Sequence, residues 1–188
     1  MGGFIAARLA QFRPMQVRSL WLLDALGCPS SRKSEMFDLN RRTGRLPLII
    51  RTPEDFDACL RLVSARPFWL PNSLRRRYAA RAIRHADLHS KIADLISQPH
   101  DDLVPKHDCI EIPTLLVWGE EDRVLSPDCI PEQRSIFKRH TVIRMPGVGH
   151  LPMVEAPRQV ARDYRSFISS LDSDGATDPN RPTRSTNR

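Results

Sequence analysis

Two short apolar runs constrain this chain more than anything else in it: IPTLLVW from Ile112 to Trp118 and TVIRMP from Thr141 to Pro146, each broken off by a polar turn rich in glycine. The first ends in Gly119-Glu120-Glu121-Asp122 and the second in Gly147-Val148-Gly149-His150. A nearly unbroken apolar run is what a parallel strand covered on both faces requires. Open α/β sheets gather ligand and catalytic groups on the loops just past the carboxyl ends of such strands. Asp122 and His150 therefore read as an orienting acid and a general base. An imidazole titrates near neutrality and can take and return a proton, while a carboxylate beside it fixes its tautomer and steadies the imidazolium.

The segments around these runs read in the same terms. Gly2 to Phe12 has the apolar spacing of a helix closed by Pro14, and Gly2 and Gly3 let its start pass close to a neighbouring strand. Val17 to Leu23 is a third apolar run, and Asp24 at its end is the rival to Asp122 for the acid role. From Cys28 to about Asp108 the alternation of strand and helix stops. Thr52-Pro53-Glu54-Asp55 caps a helix through FDACLRLVSA, Pro71-Asn72-Ser73 opens another through LRRRYAARAIRH, and Asp87 starts a third. Pro131 to Arg139 reads as a helix crossing back between the two organising strands. Pro157 to Ser170 is an amphipathic helix with Val160, Tyr164, Phe167 and Ile168 on one face, and Glu155 is expected to cap or pair there. After Leu171 no apolar anchor remains, which reads as a disordered tail.

Composition narrows the partners. With 188 residues, 40% hydrophobic and 27% charged, the chain has the makeup of one globular domain. No apolar run reaches the roughly 18 residues of a membrane span, and the start carries neither a secretory leader nor a myristoylation signal. Cys28, Cys59, Cys109 and Cys129 follow no metal or redox spacing and read as reduced cysteines in or near the core. Glu120, Glu121 and Asp122 lack a nearby His or Cys ligand, so no metal is expected. Arg75, Arg76, Arg77, Arg81 and Arg84 line one helix between Leu74, Tyr78 and Ile83. That pattern suits a solvated face or one that leans on anionic lipid; no nucleic-acid module surrounds it.

WGEED with Asp122, GVGHLPMVEAP with His150 and the opening MGGFIAARLA resemble the carboxyl-terminal part of an α/β-hydrolase. The resemblance implies an α/β fold, a truncated α/β-hydrolase of about three parallel strands with flanking helices and a helical cap insertion. Residues 1–27 and 109–170 would form the core, 28–108 the cap or lid, and 171–188 the disordered tail. The strands would be neighbours at one side of a larger sheet, leaving an apolar edge unpaired. In that family the triad runs Ser, acid, His in chain order, with the serine on a G-x-S-x-G elbow. Where the elbow continues Ser-Met-Gly-Gly, the serine falls one position ahead of Met1, and the Met1 backbone N–H serves the oxyanion hole. No G-x-S-x-G occurs in this sequence, and Ser126 reads as a turn cap.

The implied activity is that of a carboxylic ester hydrolase, lipase-like and acting on an acylglycerol or other lipid ester without a cofactor, with the chain as written inactive. TPEDFDACLRLVSARPFWLPNSL is similar to the lid of bacterial lipases of the monoacylglycerol lipase type. The partners then expected are a small-molecule ester or lipid and a membrane touched peripherally through the cap, for a cytoplasmic or membrane-associated protein. Two alternatives stand beside this: a carbon–carbon bond hydrolase of aromatic ring cleavage products, and a non-catalytic binding protein retaining the fold.

Overall fold

The computed structural model describes residues 1–25, 27–67, 69–97 and 109–176. The strands β1 (Leu20–Leu23), β2 (Thr114–Gly119) and β3 (His140–Met145) form a parallel sheet in the order β1-β2-β3. Leu20 pairs with Thr114, and Thr114 with His140, so the strands are in step at their amino ends and deliver their carboxyl ends to one edge. β2 is central and every residue in it is buried.

Side chains alternate across a pleated strand, and β2 divides its apolar residues accordingly. Leu116 and Trp118 join a core with Leu20, Leu22 and the small residues Ala7 and Ala10 of helix α1 (Gly2–Phe12). Leu115 and Val117 join a second core with Met145, Val160 and Phe167, the last two from helix α8 (Pro157–Ala176). The central strand β2 is thus covered on both faces, as its continuous apolar run requires, whereas β3, expected to be covered likewise, is only partly buried. Helix α1 lies close because a Cβ on Gly3 would come within 2.5 Å of the Ala25 Cβ; only glycine fits there.

Among the described residues, four α-helices lie between β1 and β2: α2 (Glu35–Thr43), α3 (Pro53–Val63), α4 (Asn72–Arg84) and α5 (Ala86–Ser97). Helix α3 starts at a complete capping box, with Asp55 N–H donating to Thr52 Oγ1 at 3.1 Å and Thr52 N–H donating to Asp55 Oδ2 at 2.9 Å. Helix α6 (Ile130–Ile136) makes the crossover to β3, and a single turn, α7 (Pro152–Glu155), follows the His150 loop.

Two boundaries and one helix differ from the sequence reading. The strand expected from Val17 begins at Leu20, because Pro14–Gln16 turns as a 3₁₀ helix and pairing starts where the Leu20 N–H meets Pro113 O at 2.9 Å. Helix α2 was not foreseen. The segment expected to be disordered from residue 171 continues α8 to Ala176; residues 177–188 lie outside the described residues, as does the expected end of the insertion near 108.

Candidate active site

The loops after β2 and β3 are fastened directly to each other. The Glu120 N–H donates to Met145 O at 3.1 Å and the Glu121 N–H to Val148 O at 3.0 Å, while the Val148 N–H returns a bond to Glu121 Oε2 at 3.0 Å. Contact at Gly119 is so close that an added Cβ would lie 2.1 Å from Gly149 O and 2.5 Å from Val148 O. The glycine that ends β2 is what lets the two loops touch.

That contact brings Asp122 to His150. The imidazole Nδ1–H donates to Asp122 Oδ2 at 2.8 Å, and Asp122 Oδ1 accepts from the Val124 and Leu125 N–H groups at 2.8 and 3.0 Å. The Asp122 side chain is fully buried and that of His150 is 23% exposed. A buried carboxylate is stable when hydrogen bonds replace its lost water, and three N–H donors do so here. With Nδ1 engaged, Nε2 is the ring nitrogen left to exchange a proton. His150 lines a cavity of about 340 Å³ with Met1, Asp24 and apolar residues of α2 and α5, among them Met36, Phe37 and Ile92.

Met1 stands at the amino end of α1 on this same cavity. Asp24, the rival acid, does not pair with His150. It sits at the end of β1 with a φ of 43°, its Oδ1 accepting the Gly119 N–H at 2.9 Å. Burial, and then the charge of Asp122, push its carboxyl up to about 9.

Glu155 does more than the sequence suggested. Instead of capping α8, it accepts the Gly149 N–H on Oε1 at 2.9 Å and the Ala65 N–H on Oε2 at 2.8 Å. It ties the His150 loop to the segment after α3, where the His150 N–H also donates to Val63 O at 3.0 Å. Half of the signal was local, since Pro152 starts a one-turn helix that aims Glu155 back at Gly149. The other half, Ala65, is distant in sequence.

Glu120 and Ser126 are engaged locally. Glu120 pairs with Arg144 at 2.9 Å, and Ser126 Oγ accepts the Asp128 N–H at 3.2 Å, as a turn cap does. Cys28 and Cys129 are buried side by side, with Cys28 Sγ 3.9 Å from Cys129 O, and the neighbouring thiol and burial both raise the Cys129 pKa. Of the arginine cluster, Arg75 pairs with Asp57 at 2.6 Å.

Known proteins resemble this chain along most of its length. The profile described as the alpha/beta hydrolase family matches residues 1–163. Lipase 1 of Psychrobacter immobilis is 34% identical over 92% of this chain and 54% of its own length. A human monoacylglycerol lipase is 27% identical over 91% of this chain and 53% of its own. Among solved structures, a membrane phospholipase A described as a bacterial virulence factor superposes with a TM-score of 0.84 at 39% identity, covering 90% of this chain and 55% of that one. The chain spans about half the length of the curated relatives it matches.

Proposed function

The chain belongs to the alpha/beta hydrolase family, and from that premise we propose that it carries the acid–base part of a serine ester hydrolase acting on lipid esters. The observation that carries this reading is the 2.8 Å bond between His150 Nδ1 and the buried Asp122 carboxylate on a largely apolar cavity. Lipase 1 and the monoacylglycerol lipase are named for lipid ester hydrolysis, and the cavity wall of Met36, Phe37, Leu46, Leu48, Ile49 and Ile92 suits an acyl chain.

In this proposal the nucleophile is a serine one position ahead of Met1. His150 Nε2 takes its proton as the oxygen attacks the ester carbonyl, then returns that proton to the leaving alcohol; water repeats the cycle on the acyl-enzyme. The Met1 N–H donates to the oxyanion of the tetrahedral intermediate. The helices between β1 and β2 act as the cap. Their arginine-bearing face, with Trp69 85% exposed nearby, leans on anionic lipid. No described helix is long and apolar enough to cross a membrane.

The test compares residues 1–188, which contain no G-x-S-x-G, with a chain carrying a Gly-x-Ser elbow ahead of Met1. Medium-chain p-nitrophenyl esters should be turned over by the second and hardly by the first. His150→Ala should then cost about six orders of magnitude in kcat. An elbow-bearing, folded chain without ester turnover would count against the reading.

A further inference from the structure

Beside the acid–base pair lies a second buried carboxyl that the pair does not use. Asp24 is only 4% exposed and adopts a positive φ, which non-glycine residues rarely do. Its own N–H donates to Val117 O at 3.0 Å and its Oδ1 takes the Gly119 N–H at 2.9 Å, but its Oδ2 is buried without a hydrogen-bond partner. Asp122 lies within hydrogen-bonding reach, and Glu155 adds a second negative charge to its surroundings. On the cavity side it shares walls with the Met1 amino group, His89 of α5 and His150.

Two ionised carboxylates out of water and face to face repel, and neither has a proton to donate. One proton removes both penalties. It turns the unpartnered Oδ2 of Asp24 into a donor, and Asp122 has room for it. A carboxylate offers about four acceptor positions, and His150, Val124 and Leu125 occupy three of those on Asp122.

We propose that Asp24 is a positioning residue that works as a neutral carboxylic acid. One oxygen clamps the Gly119 amide and the other donates to Asp122, so the acid loop is held from the β1 side while Asp122 alone carries the charge that His150 needs. The catalytic consequence rests on the hydrolase reading; the protonation does not. Burial and the Asp122 charge support it by keeping the proton on Asp24 up to about pH 9. In the unfolded chain the same group loses its proton near pH 4. The folded state therefore binds the extra proton, and this group's contribution to stability, full below pH 4, drains away as pH rises toward 9.

The full chain, labelled with ¹³C in its aspartate carboxyls, carries the test. Wild type should show the infrared carbonyl stretch of a protonated aspartate at pH 7, fading as pH passes about 9, and Asp24→Asn should lack it. In urea titrations the wild-type unfolding constant should climb about tenfold per pH unit, relative to Asp24→Asn, between roughly pH 5 and 8. Asparagine tolerates the same φ and keeps both hydrogen bonds, so Asp24→Ala should be less stable than Asp24→Asn at every pH. No protonated-aspartate band at pH 7 in wild type, or the same pH slope in wild type and Asp24→Asn, overturns the proposal. In an elbow-bearing chain, Asp24→Asn should also flatten the alkaline fall of kcat/KM. A chain that never turns over esters would sink the hydrolase reading and leave the infrared band to decide on Asp24.

Discussion

The loops beyond β2 and β3 and the helices inserted between β1 and β2 border one cavity, yet they are held by opposite means. On the loop side, carboxyl groups of Asp24, Asp122 and Glu155 take backbone N–H groups of Gly119, Val124, Leu125, Gly149 and Ala65, mostly out of water. On the helical side, exposed ion pairs such as Arg51–Asp87 at 3.0 Å sit beside exposed Trp69, Tyr78, Leu88 and Leu95. Charge-assisted bonds to buried backbone fix geometry, whereas exposed ion pairs contribute little. The difference separates a part that holds two side chains in register from a part whose exposed surface is loosely tied.

Mutations that strike each side should differ in size accordingly. Gly119→Ala forces a Cβ into the Gly149 carbonyl and should cost about 4 kcal/mol or more, read from urea unfolding; a mild effect would mean the loops can part. Asp122→Ala strands the Val124 and Leu125 N–H groups as well as His150 and should cost about 3 kcal/mol. Glu155→Ala frees Gly149 and Ala65 together, for about 2 kcal/mol, and a cost no larger than that of a surface change would erase the contrast. On the helical side, Thr52→Ala removes the capping box of α3 and should cost about 1 kcal/mol. Smallest of all, Arg75→Ala breaks the half-buried pair with Asp57 for about 0.5 kcal/mol. Its effect should instead be weaker, salt-sensitive binding to anionic vesicles.

How far the sequence revealed these features follows the same division. β2 and β3 were legible because an apolar run stopped by glycine is a local signal, and Asp122 and His150 stood where such strands deliver their residues. Helix α3 was legible from Thr52 and Asp55, three positions apart. Helix α2 is hard to read from the sequence although Ser34 precedes it and Gly44, with a φ of 67°, closes it. Its apolar residues are few, and it is anchored from afar by the Met36 N–H on Arg123 O at 3.0 Å. The start of β1 depended on Pro113, a neighbour in space and not in sequence. The contacts of Asp24 and Glu155 are not legible in the sequence for one reason: the backbone groups they hold, Gly119 and Ala65, lie 95 and 90 residues away.

The central claim is that Asp122 holds the Nδ1–H of His150, and proton NMR of the imidazole tests it most directly. In ¹⁵N-histidine-labelled protein, His150 should give a far-downfield Nδ1–H resonance, slow to exchange, that Asp122→Ala abolishes without unfolding the sheet. A His150 ring protonated at Nε2 alone, or an Nδ1–H signal unchanged in Asp122→Ala, would contradict it.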